Sequence, residues 1–362
     1  MSVHKRVTQA GQVRWDVRLY RPDGREYSRT FRTRAEAERF QATERADRAR
    51  GTWIDPTAGQ VLFSEWADEW YRSSRHTWRP RTAEKHQAVL RRQWLPKFGH
   101  LAMSTIRPRQ VQAAVNDLAE HYRPSTVNTY YRTLRALFRQ AVELDVIGRT
   151  PCRGIKLPTL GYNERMTITP DQLHRLAGAV GDPWRCMIYL SGVMGLRYGE
   201  VAALRPVDLD LDAGQISITR SLSETKDGLI IERPKTTASI RTLTLPSPLI
   251  DELRTHADRI KAERGSTALL FADSRGGPLR RSNFSRRVFV PAAKAAKLDG
   301  LTFHGLRHSA ATTWVAAGID ARTVQHRLGH ADPRLTLSLY AHATNDADQA
   351  AAKLSSDVYW PD

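Results

Sequence analysis

The chain opens with a period of two. Val3 and Val7 flank Lys5, and Trp15, Val17 and Leu19 continue the alternation. That spacing lays one face of a strand against a core. Gly11 and the run Pro22-Asp23-Gly24 supply the turns. A helix follows, opened by Thr33 with Glu36 three residues on as a capping box, and Gly51 stands where a C-terminal cap belongs. Residues 1–55 therefore predict a small α+β unit of three strands and one helix.

Beyond a short linker over 51–60 the period changes to that of helices. Phe63, Trp66, Ala67 and Trp70 recur at i, i+3, i+4 and i+7, as do Val111, Ala114, Val115 and Leu118. Pro108 suits a first turn. Between these two helices one is predicted over 82–94, and a long one runs from 125 to 147, stopped by Gly148. Residues 61–150 thus read as an all-α bundle, with Arg79, Arg81, Lys85, Arg91, Arg92, Arg132, Arg135 and Arg139 on its outer faces. Pro151, Gly154, Pro158 and Gly161 break up a basic linker over 151–165. From 166 to 362 the pattern is mixed. Helices are predicted to start at Thr169-Pro170 and Asp182-Pro183, strands over 215–220, 229–232 and 240–245, and helices thereafter. This is a mainly α domain with a small antiparallel sheet. The fold class is multidomain.

Charge narrows the function. Of 362 residues 26% are charged and 41% hydrophobic, and the formal net charge is +18. Such an excess calls for a polyanionic partner, either nucleic acid or an anionic membrane surface. No stretch reaches the roughly 20 apolar residues that span a bilayer, no apolar signal core stands near the start, and no helix shows the apolar and basic faces of a surface anchor. Nucleic acid is favoured. Two cysteines, Cys152 and Cys186, suit a reducing, cytoplasmic setting. The 12 histidines form no zinc-finger spacing, so no metal and no cofactor is expected.

Four short pieces of the last segment carry chemistry. They are Gly195-Leu196-Arg197-Tyr198-Gly199-Glu200, Arg233-Pro234-Lys235-Thr236-Thr237, His304-Gly305-Leu306-Arg307, and Leu328-Gly329-His330 with Tyr340 ten residues later. Together they resemble the boxes of the tyrosine recombinase (phage integrase) family. The resemblance extends in outline along the whole chain: 61–150 resembles the core-binding, SAM-like domain, 166–362 the catalytic domain with a C-terminal tail, and 1–55 the arm-type DNA-binding domain of many phage integrases.

Those residue types suit the breakage of a phosphodiester. Charge grows on the non-bridging oxygens during in-line attack, and a fixed pair of guanidinium groups, Arg197 and Arg307, can hold it bidentately. His-x-x-Arg occurs three times, at His76/Arg79, His256/Arg259 and His304/Arg307. The third lies between the lysine and Gly-His pieces; the other two read as solvated pairs on helix faces. By resemblance His304 helps the tyrosine lose its proton. Lys235, on a predicted hairpin turn, can protonate the departing 5′ oxygen, with Lys226 in the neighbouring turn as its competitor. The same resemblance implies that His330 contacts the scissile phosphate, and Glu200, one turn on, can support Arg197. Tyr340, one of 11 tyrosines, is the nucleophile; a phenol with an ordinary pKa near 10 needs cations and a base around it.

The resemblance implies a site-specific recombinase. It would cleave and rejoin DNA through a 3′-phosphotyrosine, without metal or ATP, as a homotetramer on double-stranded attachment sites. The core-binding and catalytic domains would clamp the duplex. It also leaves room for a host DNA-bending factor and an excision directionality factor, with action in the bacterial cytoplasm at the nucleoid. The tail from 354, with Val358, Tyr359 and Trp360, would either dock on a neighbouring protomer or fold back on its own domain. A DNA-relaxing topoisomerase shares the chemistry, and strand exchange between two duplexes separates the two. A non-catalytic DNA-binding regulator would trap no covalent intermediate.

Overall fold

The computed structural model describes residues 2–20, 24–50, 55, 57–161, 166–234, 236–340 and 355. The chain divides into two units, Met1–Gly161 and Tyr162–Asp362. In the first, β1 (Ser2–Val7), β2 (Val13–Tyr20) and β3 (Glu26–Phe31) form an antiparallel sheet in sequence order. The alternation fixes the faces: Val3 pairs with Val17 and Lys5 with Trp15. Helix α1 (Arg34–Ala49) starts at the Thr33–Glu36 capping box and brings Ala37 and Phe40 onto Val17 and Leu19. The alternate positions of β1 and β2, where His4 faces Asp16 and Arg6 faces Arg14, make up the other face. There Asp16 accepts from Arg6 at 2.8 Å and from Thr30 at 2.6 Å.

Helices α2 (Phe63–Ser74), α3 (Pro80–Val89), α4 (Leu95–Phe98), α5 (Pro108–His121) and α6 (Pro124–Glu143) follow, a π turn at Leu90–Trp94 joining α3 to α4. Phe63, Trp66, Trp94, Leu134 and Phe138 fill the bundle. Two features differ from the sequence pattern. Helix α6 ends before residue 147: Asp145 takes a left-handed φ of 53°, the amides of Val146 and Ile147 fold back onto the Ala141 carbonyl, and Ile147 turns into the core. The start of the supposed linker also belongs to the bundle. Cys152, Ile155 and Leu157 pack on it, Tyr131 donates to the Cys152 carbonyl at 2.7 Å, and the Gln112 amide exchanges two hydrogen bonds with the Lys156 backbone. Three apolar residues between the breakers account for this.

The second unit begins with α7 (Pro170–Val180), which starts at Thr169-Pro170 as the sequence suggests and is capped by Thr169 and Gln172, then α8 (Arg185–Gly192), which starts after Trp184 rather than at Asp182-Pro183, and α9 (Tyr198–Val201). Strands β4 (Leu209–Asp210), β5 (Gln215–Ile218) and β8 (Arg241–Thr244) form one antiparallel sheet, and β6 (Ser221–Thr225) with β7 (Gly228–Glu232) a separate hairpin. The expected strand over 215–220 therefore ends at Ile218, and the strand of the second sheet begins only at Ser221. Helices α10 (Ser247–Arg264), α11 (Arg281–Phe284), α12 (Val290–Ala295), α13 (Phe303–Ala316), α14 (Ala321–Leu328) and α15 (Arg334–Tyr340) complete it. Leu190, Leu196, Ile216, Phe271, Phe284 and Leu306 centre the main core. Ala311, Val315, Val324 and Leu328 form a smaller one beneath Trp314, Leu339 and Tyr340. His256 is not solvated. It lies on the buried stripe of α10 with Leu249, Leu253 and Ile260, bonds the Leu270 carbonyl through Nε2 at 2.8 Å and stacks on Phe271. Among the described residues no helix is long and apolar enough to cross a membrane.

Candidate active site

The site grows from a sharp turn. Gly195, at a left-handed φ of 69°, ends the α8 segment so that Arg197 can stand at the N-cap of α9. Glu200 accepts from the Arg197 amide at 3.0 Å and from its Nη1 at 2.7 Å. The free side of that guanidinium donates through Nη2 to the Gly329 carbonyl at 3.1 Å. Arg307 comes from α13 and is 3% exposed. Its Nη1 donates to the Gly195 carbonyl at 2.6 Å and its Nη2 to the Leu328 carbonyl at 2.5 Å. Two arginines more than a hundred residues apart thus grip consecutive carbonyls of one turn, the turn that presents His330.

Burial, first, and then the charges of Arg307, Arg197, Arg241 and His304 push the His330 imidazole down to about 4. His304 therefore belongs to the same pocket. Its own position, one turn before Arg307 on α13, was set by Thr302, whose hydroxyl caps the helix. Arg307 is held down to about 9 by burial and by Arg197 beside it. Cations crowded out of water in this way gain from an anion placed among them. A phosphate oxygen is such an anion, and the donors are fixed before it arrives.

One catalytic candidate stands apart from this group, and another, Lys235, lies outside the described residues; the hydroxyl of Ser239, a few positions on, reaches the Gly329 carbonyl at 3.5 Å. Tyr340 ends α15, and its hydroxyl donates to the Ile319 carbonyl rather than joining the arginines. Burial and the Asp320 carboxylate keep its pKa above the ordinary phenol value. That is an environment for a phenol at rest.

Asp117, Glu120 and His121 on α5 bring possible metal-ligand atoms within 4.8 Å of one another. They are exposed, and Asp117 is already paired with Lys97.

Residues 166–346 match the model of the phage integrase family, and residues 62–119 that of the phage integrase N-terminal SAM-like domain. This chain belongs to the phage integrase family. Its activity is accordingly that of a site-specific DNA recombinase. It is 27% identical to the integrase of Mycobacterium phage D29 over 93% of this chain and 91% of that one. Among solved structures, the Tn1549 transposon integrase in complex with transposon right end DNA superposes with a TM-score of 0.72 at 21% identity, covering 82% of this chain and 100% of the other. A lambda integrase dimer bound to a COC′ core site gives 0.59 at 19% identity, over 93% and 94%. At those identities the structures speak for the fold.

The pocket of this integrase contains two residues that motif reasoning passed over. Arg241 sits at an inward register position of β8, next to Leu243. Its Nε donates to the Arg327 carbonyl at 2.8 Å, its Nη1 to the Ser239 carbonyl at 3.0 Å, and its guanidinium pairs with Glu200. A charged residue at a buried strand position was the available signal. Thr336 on α15 is 1% exposed and meets His330 Nδ1 at 2.9 Å. Nothing in the sequence marks it beyond its place four residues before Tyr340.

Proposed function

We propose that this integrase cuts one DNA strand with Tyr340 and rejoins it to another through a 3′-phosphotyrosine. Arg197, Arg307 and the Nε2 side of His330 would hold the two non-bridging oxygens of the scissile phosphate. The Tyr340 hydroxyl would leave the Ile319 carbonyl, give its proton to His304, and attack phosphorus. The P–O5′ bond would break as the Tyr–O–P bond forms, Lys235 supplying a proton to the departing 5′ oxygen. The reverse reaction, with a 5′ hydroxyl of a partner strand as nucleophile, conserves the number of phosphodiester bonds, so no external energy source is needed. Glu200 would act by fixing Arg197.

The observation that supports this reading is the convergence of Arg197 and Arg307 on the carbonyls of Gly329 and Leu328, which brings three separated motifs together. The domain plan also belongs to the proposal: 1–55 as an arm-type DNA-binding domain using the sheet face of His4, Arg6, Arg14 and Arg18, 61–150 as the core-binding domain, 151–165 as the connection, and 166–362 as the catalytic domain with its tail. So do assembly as a homotetramer on two attachment sites, the participation of a DNA-bending factor and a directionality factor, and action at the bacterial nucleoid. A nicked attachment-site duplex that loses its 5′ fragment after cleavage tests the core claim. Wild type is expected to accumulate covalent protein–DNA complex and Tyr340→Phe to form none while still binding DNA. Equal trapping by both would reject Tyr340.

A further inference from the structure

The hydrogen bond between Thr336 Oγ1 and His330 Nδ1, 2.9 Å long, occupies one ring nitrogen and leaves Nε2 for the substrate. A neutral imidazole carries a single proton, on one nitrogen or the other, and the partner of one nitrogen decides which. Were the proton on Nδ1, donated to the threonine oxygen, Nε2 would turn a lone pair toward phosphate oxygens and repel them. A threonine hydroxyl can instead donate. We propose that Thr336 is a positioning residue whose hydroxyl donates to His330 Nδ1, holding the ring in the tautomer that carries its proton on Nε2 so that an uncharged imidazole donates to the scissile phosphate.

This inference rests on the placement of His330 at the phosphate. It explains how a histidine serves among Arg197, Arg241 and Arg307: with Glu200 already engaged by Arg197 and Arg241, these cations keep the ring neutral near pH 7, and a neutral ring helps only in one of its two tautomers. Thr336 is well suited to the task. It is the buried residue of α15, and the ring is further braced by its backbone, since the His330 amide donates to the Gln325 carbonyl while the Gln325 side chain donates to that of His330 at 3.0 Å. Thr336 also precedes Tyr340 by four residues on the same helix, so the two share a face. The bond therefore ties the phosphate-binding ring to the helix that carries the nucleophile.

Two measurements on the full-length protein test the proposal. Nitrogen NMR of histidine-labelled protein at pH 7, with the His330 signals identified by their loss in His330→Gln, reports the tautomer. An Nε2-protonated wild type that becomes a mixture in Thr336→Val supports it. An Nδ1-protonated wild type, or a pattern that does not change in Thr336→Val, overturns it. Should Thr336→Val fail to fold, the wild-type spectrum and Thr336→Ser, which keeps the hydroxyl and the wild-type pattern, decide alone. In the nicked-duplex assay, Thr336→Val is expected to slow cleavage about 10- to 100-fold, the usual effect of removing the group that orients an active imidazole, with DNA affinity unchanged and Thr336→Ser recovering most of the rate. Equal rates for wild type and Thr336→Val would overturn the proposal. A wild type that forms no covalent complex would instead defeat the recombinase mechanism, while the tautomer remains readable.

Discussion

Arg241 and Glu200 form a two-pronged ion pair from which water is excluded. Nη1 and Nη2 of the arginine reach Oε1 and Oε2 at 3.3 and 3.0 Å, and the two side chains are 1% and 2% exposed. Burial alone would raise the Glu200 pKa; Arg241 and then Arg197 outweigh it and hold the carboxyl below the ordinary value. Because the same carboxylate also binds Arg197, the pair connects β8 to the start of α9.

Breaking that pair from one side leaves the buried carboxylate with Arg197, itself partly exposed, as its remaining counterion. Arg241→Met is expected to destabilise the catalytic unit by about 3–5 kcal/mol, read as a lower denaturation midpoint, and to reduce covalent-complex formation. Adding Glu200→Gln removes that buried charge, so the double variant should be more stable than the sum of the two single losses implies. Strict additivity would mean that the two side chains do not interact as described.

Gly329 offers a sharper geometric test. It adopts a left-handed φ of 60° at the end of α14, and a Cβ there would lie 2.8 Å from Arg241 Nη1 and 3.1 Å from the Ala238 carbonyl oxygen. Gly329→Ala therefore meets both a backbone cost of about 1–2 kcal/mol and a clash at the group that positions Glu200. Cleavage should fall further than stability does, because the displaced turn also carries His330. A variant with wild-type cleavage rate would show that this turn tolerates movement.

Salt dependence separates phosphate contacts from structural ones. DNA affinity is expected to fall linearly with the logarithm of salt concentration, and Arg197→Ala to reduce that slope by about one counterion. Asp16→Asn tests the N-terminal sheet in the same titration. It frees Arg6 from its 2.8 Å partner, and binding to DNA carrying only a core site should not respond.

Much of this was legible in the residues. Period-two and period-3.6 spacing placed the first sheet and the four long bundle helices, and the Thr33/Glu36 box and the Thr169-Pro170 pair fixed two helix starts to the residue, whereas the helix expected at Asp182-Pro183 begins only at Arg185. What escaped was determined by contacts distant in sequence. The end of α6 depends on a left-handed Asp145, which composition does not announce. His256 looked like the partner of a solvated arginine until α10 turned its apolar stripe inward. Within the pocket, Arg197, His304, Arg307 and His330 could be named from their motifs, whereas Arg241 and Thr336 act through partners 41 and 6 residues away. The resting position of Tyr340 on the Ile319 carbonyl could not be read from any local pattern either.

The low pKa of His330 gives the pocket a signature in acid. Its folded value is about 4 against an ordinary 6.5, so below pH 6.5 the unfolded chain takes up a proton that the folded chain refuses. Stability from this group is therefore lost as pH falls from 6.5 toward 4 and does not change below that. Glu200 acts in a separate window: its depressed carboxyl stabilises the fold above its ordinary value of 4.5 and loses that contribution only as the pH falls below it. Between pH 7 and pH 5 the wild type should lose on the order of 2 kcal/mol through His330, and His330→Gln, which does not titrate, should lose correspondingly less. Bound duplex ought to diminish the difference, since a phosphate among the arginines offsets the cationic field that keeps the ring neutral. Parallel pH profiles for the two proteins would mean that the imidazole is not held among those arginines, and the convergence of the three motifs on one phosphate would lose its electrostatic support.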